Sequence, residues 1–532
     1  MLTHIQTRKP QKNKFNLSRP AKLTGNMGYL YPCFIQHVIP GDSFRVSTQQ
    51  LVKFSPLLAP IMHNIDFKID YFYVPNRIVW DEWKDFITGG EDGTELPSFP
   101  RFEVTDIRTP FLQKGTLADY LGLPARDPDA GIWDNAVGTG AGNEEISLLE
   151  FRAYQLIHHE YFRDQNVGTE YPQYTDSGLE TGGTALQNQI TLRKTSWEKD
   201  YFTSALPFLQ RGAEVTLPLG NIAPIQAVDG ETAMFTVAVS GTQPTVGNVS
   251  SVSGGGNDVT LTSGNGAWGF GSQTGLEADL SQATAATINE LRKASALQEW
   301  LELMARAGSR YREQIYAIFG ERIQDYTVQV PQYLGGGRTP IMISEVLSTY
   351  QDQNSPNERP QGDQTGHAQG VGDNLGFQNS FDEHGIILGL CRVVPRTDYI
   401  QGIDRHWQKF DKFDYYFPQF ANLGEQEIKT KEIYASGLLT DGDKVFGYQQ
   451  RYAEYKYARG TLAGDFNDNL SFWELSRRFD TPPLLNQSFI ECNPDSRIFA
   501  ITDPDEDKLW ITLWHQVDAL RPIPMFANPT LT

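Results

Sequence analysis

The stretches of this chain that gather reactive side chains each fall short of what their chemistry requires. His158-His159-Glu160 is the densest of them. Adjacent helical positions point about 100° apart, whereas two zinc ligands on one helix face need i, i+4 spacing. The pair therefore reads as one histidine toward solvent and one packed. Asp503-Pro504-Asp505-Glu506-Asp507 could offer oxygens to calcium. It lacks the glycine and the terminal glutamate of an EF-hand loop, so it reads as a solvated acidic turn. Gly138-Thr139-Gly140-Ala141-Gly142 has no buried strand before it and no P-loop lysine, and Tyr333-Leu334-Gly335-Gly336-Gly337-Arg338 lacks a strand–loop–helix setting. There is no Gly-x-Ser-x-Gly elbow, and Cys33, Cys391 and Cys492 lie outside any nucleophile or metal-ligand signature. The expectation is no catalytic residue, no cofactor and no metal. One enzyme reading survives: paired carboxylates for glycoside hydrolysis in a cytoplasmic β-sandwich, or a carbohydrate-binding module of that fold.

Charge offers a different chemistry. Residues 1–41 contain Arg8, Lys9, Lys12, Lys14, Arg19 and Lys22 and no acid, so this arm carries +6 while the whole chain carries −20. A basic arm before an acidic body suits a tail that meets nucleic acid, although a solvated terminus has the same composition. Phe15, with Tyr29 and Tyr31 nearby, could stack on bases beside these cations. If all six met phosphates of a single strand, binding would be independent of sequence, with a salt slope of about −4.

Strand signals dominate the elements that must position such groups. Ser43–Phe54, Asn64–Val74, Gly385–Val394, Arg497–Thr502 and Leu509–Val517 all read as strands. In the second, Ile65, Phe67, Ile69, Tyr71 and Tyr73 alternate with Asp66, Lys68 and Asp70, which marks one buried face. In the last, Trp510, Thr512, Trp514 and Gln516 form the face opposite Leu509, Ile511, Leu513 and Val517. Helices are expected from the Ser147–Glu150 capping box to about Phe162, from about Ala283 to Ala307, and over Tyr311–Phe319. Residues 89–142 and 351–376 read as long irregular loops. Mean hydropathy is −0.42 and no run of about 18 apolar residues occurs, so no membrane insertion is expected. No apolar segment follows the basic N-terminus, which argues against a secretory signal peptide. The cysteine usage suits a reducing cytoplasm.

Eight stretches carry a family resemblance. PGDSFRV (40–46), LLAPIMHNIDFKIDYFYVPNRIVWDEW (57–83), EFRAYQLIHHEYFRDQN (150–166), KDYFTSALPFLQRG (199–212), ATINELRKASALQEWLELMARAGSRYREQIYAIFG (286–320), YLGGG (333–337), FDYYFPQFANLGEQEI (413–428) and LRPIPMFANPTL (520–531) occur in order. Together they resemble the major capsid protein of the Microviridae, in its gokushovirus branch. The resemblance implies a mainly β fold, an eight-stranded antiparallel jelly roll over 42–532 with large loop insertions containing a few helices. It also implies a structural, non-enzymatic protein of the virion, made in the host bacterial cytoplasm. Sixty copies would close into a T=1 icosahedral shell around a circular single-stranded DNA genome, with small basic DNA-binding and pilot proteins as partners.

The same resemblance implies a β-rich protrusion at the three-fold axis, here residues 225–280, where the family pattern fades. Within it Ala233–Val239 and Asp258–Thr262 read as short strands. Apart from Asp258, residues 232–276 hold no charged residue, which suits contact with an anionic bacterial surface. Asp258, Trp268 and Phe270 are the candidate contacts with a surface receptor, a glycan among the chemistries that fit stacking aromatics. Packing of Trp268 inside the knob or across the three-fold contact is the competing role.

Overall fold

The computed structural model describes residues 10–526 except 106–108, 128, 131, 134–142, 214, 216–224, 228–234, 239–244, 248–266, 270–275, 279–287, 348–363, 502 and 504. The chain divides into one unit of Met1–Leu209 with Ala305–Thr532 and a second of Gln210–Met304. In the first, eight strands form the frame: β1 (Arg19–Gly25), β2 (Tyr31–Val38), β3 (Ser43–Phe54), β4 (Ile65–Pro75), β5 (Gln332–Pro340), β6 (Gln364–Ser380), β7 (Gly385–Pro395) and β8 (Leu509–Arg521). One sheet runs β1-β8-β3-β6 and the other β2-β7-β4-β5, with every pairing antiparallel. Asn13–Asn16 and Met342–Leu347 extend the first sheet to six strands. This interleaving of early and late strands is the jelly roll expected from the resemblance.

The two sheets differ because their strands differ in pattern. In the first, burial alternates strictly along β3 and β8, so one face packs and one meets solvent. Its inner residues Val46, Val52, Ile511, Leu513 and Val517 meet Phe67, Ile69, Tyr71, Ile387 and Val393 of the second sheet. In the second, β7 is an almost unbroken apolar run, buried along nearly its whole length. Its outer face, with Phe72, Val74, Ile386, Leu388 and Leu390, packs against Phe151, Tyr154 and Ile157 of helix α1 (Leu149–Ile157). Asp66, Lys68 and Asp70 lie on that outer face at its uncovered end. There Arg392 reaches Asp70 at 2.5 Å, and Lys68 pairs with Glu198.

Several expectations need correction. The segment set aside as a basic arm is structured from Asn13 onward, since Asn13–Asn16 and β1 both pair with β8 and β2 pairs with β7. Residues 351–376 are not all loop, because β6 begins at Gln364. Its glycines hid it: a Cβ on Gly376 would lie 1.9 Å from the Val46 carbonyl oxygen, and one on Gly372 would lie 2.5 Å from Thr339 Oγ1. YLGGG has the same explanation, since a Cβ on Gly336 would lie 2.2 Å from Ile69 O and one on Gly337 would lie 2.4 Å from Leu375. Arg497–Thr502 forms no strand among its described residues. The Arg497 guanidinium instead gathers the carbonyls of Ser471, Glu474 and Ser476, and Phe499 makes one isolated bridge to Leu57.

Helix α1 starts after Ser147, whose Oγ accepts from the Leu149 amide and donates to Glu150 at 2.6 Å. A π-helical turn, His158–Phe162, completes it to the expected end. That turn packs both histidines, so neither faces solvent freely. His158 is buried, and His159 lies 2.9 Å from Glu160. Tyr311–Phe319 is helical as expected, and Ile288–Ala307 forms the long helix. In the second unit Ile225–Ala227 pairs with Leu276–Ala278, and Phe235–Ala238 lies between Thr245–Gly247 and Ala267–Gly269. Trp268 is on the last of these, opposite Val237. Asp258, Phe270 and the strand expected over Asp258–Thr262 lie outside the described residues.

Candidate nucleic-acid interface

The outer face of the first sheet brings cations and exposed tryptophans together. Because β8 alternates strictly, Trp510 and Trp514 point away from the core, at 46% and 47% exposure. Four residues apart on one strand, they are about 13 Å apart. Cross-strand register sets their neighbours. Trp510 stands between Thr24 of β1 and Lys53 of β3, and Trp514 between Pro20 and Gln49. Thr512 lies between them, with Lys22 on one side and Leu51 on the other. Further along, Asp518 lies opposite Arg45, and Lys14 reaches Asp518 at 3.0 Å. Lys14, Lys22, Arg45 and Lys53 thus share one face with two indole rings. Flat rings interleaved with cations are the elements of a single-strand binding surface, where each stacked base contributes about 1–3 kcal/mol.

The expected site residues divide by register. Lys14 and Lys22 fall on this outer face, and Lys12 is exposed just before Asn13–Asn16. Arg19 and Phe15 do not join them, because they pair with His515 and Ala519, which point into the core. Arg19 lies over the Phe34 ring at 4.6 Å and donates to Gln36 and to the Ile35 carbonyl. Tyr31 is buried, and Tyr29 is half-buried under Lys194. Arg8 and Lys9 lie outside the described residues. Trp510, Trp514, Arg45 and Lys53 were missed, although the alternation along β8 already put both tryptophans on the polar side.

The acidic turn bounds this face at one end. Asp507 accepts from Thr24 Oγ1 and from Asn26. Within the turn, Lys508 donates its ammonium protons to the carbonyls of Asp503 and Glu506. A lysine therefore stands where those oxygens converge. Among the described residues, no cluster of His, Cys, Asp and Glu is arranged to hold a metal, and no helix is long and apolar enough to cross a membrane.

A family model described as "Capsid protein (F protein)" matches residues 3–531. The chain belongs to this family. It is 35% identical to the capsid protein VP1 of Bdellovibrio phage phiMH2K, covering 97% of this chain and 95% of that one. It is 32% identical to the capsid protein VP1 of Chlamydia phage 1 over 99% and 97%, and 28% identical to that of Spiroplasma virus 4 over 98% and 95%. These are gokushoviruses, as the eight stretches implied. The chain is therefore a structural, non-enzymatic capsid protein, a component of the virion that assembles with copies of itself. This membership gives no support to the carbohydrate-active alternative.

A capsid protein must cover apolar surface with its neighbours, and this one leaves much uncovered. Trp407, Phe410, Tyr415 and Tyr416 are all more than half exposed, as are Ile288 and Leu291 of helix α2 (Ile288–Ala307). Patches of this kind mark protein contacts.

Proposed function

We propose that this capsid protein holds its single-stranded DNA genome on the outer face of the first sheet, with Trp510 and Trp514 stacking on bases and Lys14, Lys22 and Lys53 meeting phosphates. The observation that carries the reading is the pair of half-exposed tryptophans within a cationic row on an otherwise acidic chain. Arg8, Lys9 and Lys12 add charge from the N-terminal side, while Arg19 and Phe15 serve the sandwich. Sixty copies close the T=1 shell around a circular genome, after synthesis in the host cytoplasm, and small basic DNA-binding and pilot proteins complete the virion. The test is titration of the full-length chain with a single-stranded oligonucleotide. Trp510→Ala with Trp514→Ala should weaken binding at least 10-fold, and three phosphate contacts give a salt slope of about −2. Unchanged affinity in the double variant overturns the reading.

The β-rich insertion 225–280, with Asp258, Trp268 and Phe270, is proposed as the contact with a bacterial surface receptor. Near-absence of charge over 232–276 supports this. Replacing 245–272 by a short linker should leave particles intact and reduce adsorption; full adsorption would refute the contact.

A further inference from the structure

Beside Trp514 the outer face of the first sheet is indented. A depression of about 410 Å³ has Arg45, Ser47, Gln378, Gln516 and Asp518 in its lining. Gly376, also in its lining, cannot grow a side chain without meeting the Val46 carbonyl. Arg45 and Asp518 face one another across neighbouring strands, and Gln378 flanks Arg45 on its other side. Among the described residues no carboxylate stands within ion-pair distance of the Arg45 guanidinium. Asp518 pairs instead with Lys14. The depression therefore sets a forked donor beside a double acceptor, with two amides able to act as either.

That pattern selects among bases. Guanine alone of the four carries two adjacent donors, N1–H and an N2 amino group, next to the acceptors O6 and N7. Adenine offers no donor at N1, and cytosine presents acceptors at N3 and O2. Thymine has a single N3–H between two carbonyls that a carboxylate repels. We infer that the depression receives a guanine base of single-stranded DNA. Asp518 accepts from N1–H and the N2 amino group, while Arg45 donates to O6 and N7. Lys14 stays beside the carboxylate for the phosphate, and Trp514 stacks on the adjoining base. This rests on the outer face being the nucleic-acid interface, and it replaces sequence-independent binding by a preference at one nucleotide.

Nine-nucleotide oligothymidylates with guanine, adenine, cytosine or thymine at the centre test it, titrated against the full-length chain by tryptophan quenching at one salt concentration. The guanine oligonucleotide should bind about 10-fold more tightly than the others, the size of one good bidentate contact. Hypoxanthine at the centre, which lacks the N2 amino group, should lose part of that gain. Asp518→Asn and Arg45→Ala should each abolish the preference while the all-thymine strand still binds. Measurable binding that is equal for all four centres overturns the guanine assignment and leaves the interface standing. Absence of binding to every strand overturns both.

Discussion

Two buried histidines are expected to withdraw about 4 kcal/mol of their stabilisation from the folded subunit as the pH falls from 7 to 5. His515 lies inside the sandwich, where Nε2–H donates to the Cys33 carbonyl at 3.1 Å and Nδ1 accepts from Thr48 Oγ1 at 2.8 Å. Thr48 in turn accepts from the Tyr71 hydroxyl at 2.5 Å. His158 has the same arrangement, with Lys194 O accepting from Nε2 at 3.0 Å and the Tyr171 hydroxyl donating to Nδ1 at 2.6 Å. Each ring is thus satisfied as a neutral imidazole, and a second proton would face a donor. Burial is the main cause that lowers His515 to about 4, helped by the charge of Arg19, and His158 to about 3.

Both values fall below the ordinary 6.5, so the unfolded chain binds protons first as the pH drops. The stabilisation is complete above about pH 6.5 and is lost progressively down to about pH 4 for His515 and pH 3 for His158. At pH 5 each contributes a loss of about 2 kcal/mol. Urea denaturation at pH 7 and pH 5 measures it. His515→Gln should remove about 2 kcal/mol of the pH dependence, and an unchanged dependence would show that this ring does not titrate as described.

Arg521→Ala is expected to destabilise the chain by about 3–5 kcal/mol, because it strands a buried charge. Asp42 is fully buried in the turn between β2 and β3, where Arg521 Nη2 lies 2.9 Å from Oδ2 and Nε lies 3.2 Å from Oδ1. The same carboxylate accepts from the Ile39 amide at 3.0 Å. The pair ties the last residue of β8 to the start of the sandwich. Adding Asp42→Asn should recover most of the loss, since the remaining partner is then uncharged. A single variant as stable as the parent in denaturant would mean that water reaches Asp42.

Strands whose side chains alternate were legible from the sequence. β3, β4 and β8 lie within a residue or a few of their expected bounds, because the apolar period of two is a local signal, and β7 does so because its short unbroken apolar run is one as well. β5 and β6 were not, because Gly336, Gly337, Gly372 and Gly376 serve close approach between strands and sheets that a linear reading sees as loop. β1 was hidden by charge: Arg19 and Lys22 suggested a free arm, while Ala21 and Leu23, which pack against the core cluster, were too few to signal a strand, and β2, itself without Lys, Arg, Asp or Glu, was grouped with that arm. The proposed interface was half visible. Trp510 and Trp514 show their outward register within β8, but Lys22, Arg45 and Lys53 come from segments hundreds of residues away. Only the order β1-β8-β3 makes them neighbours. The depression beside Trp514 needs one more strand, β6, whose glycines had concealed it.

Ultraviolet crosslinking of the packaged genome in purified particles, followed by peptide mapping, tests the central claim most directly. DNA should crosslink to peptides containing Trp510 and Trp514, with a second set from Arg19–Gly25 or Ser43–Phe54. Crosslinks confined to other surfaces, with residues 509–521 unmodified, would contradict it.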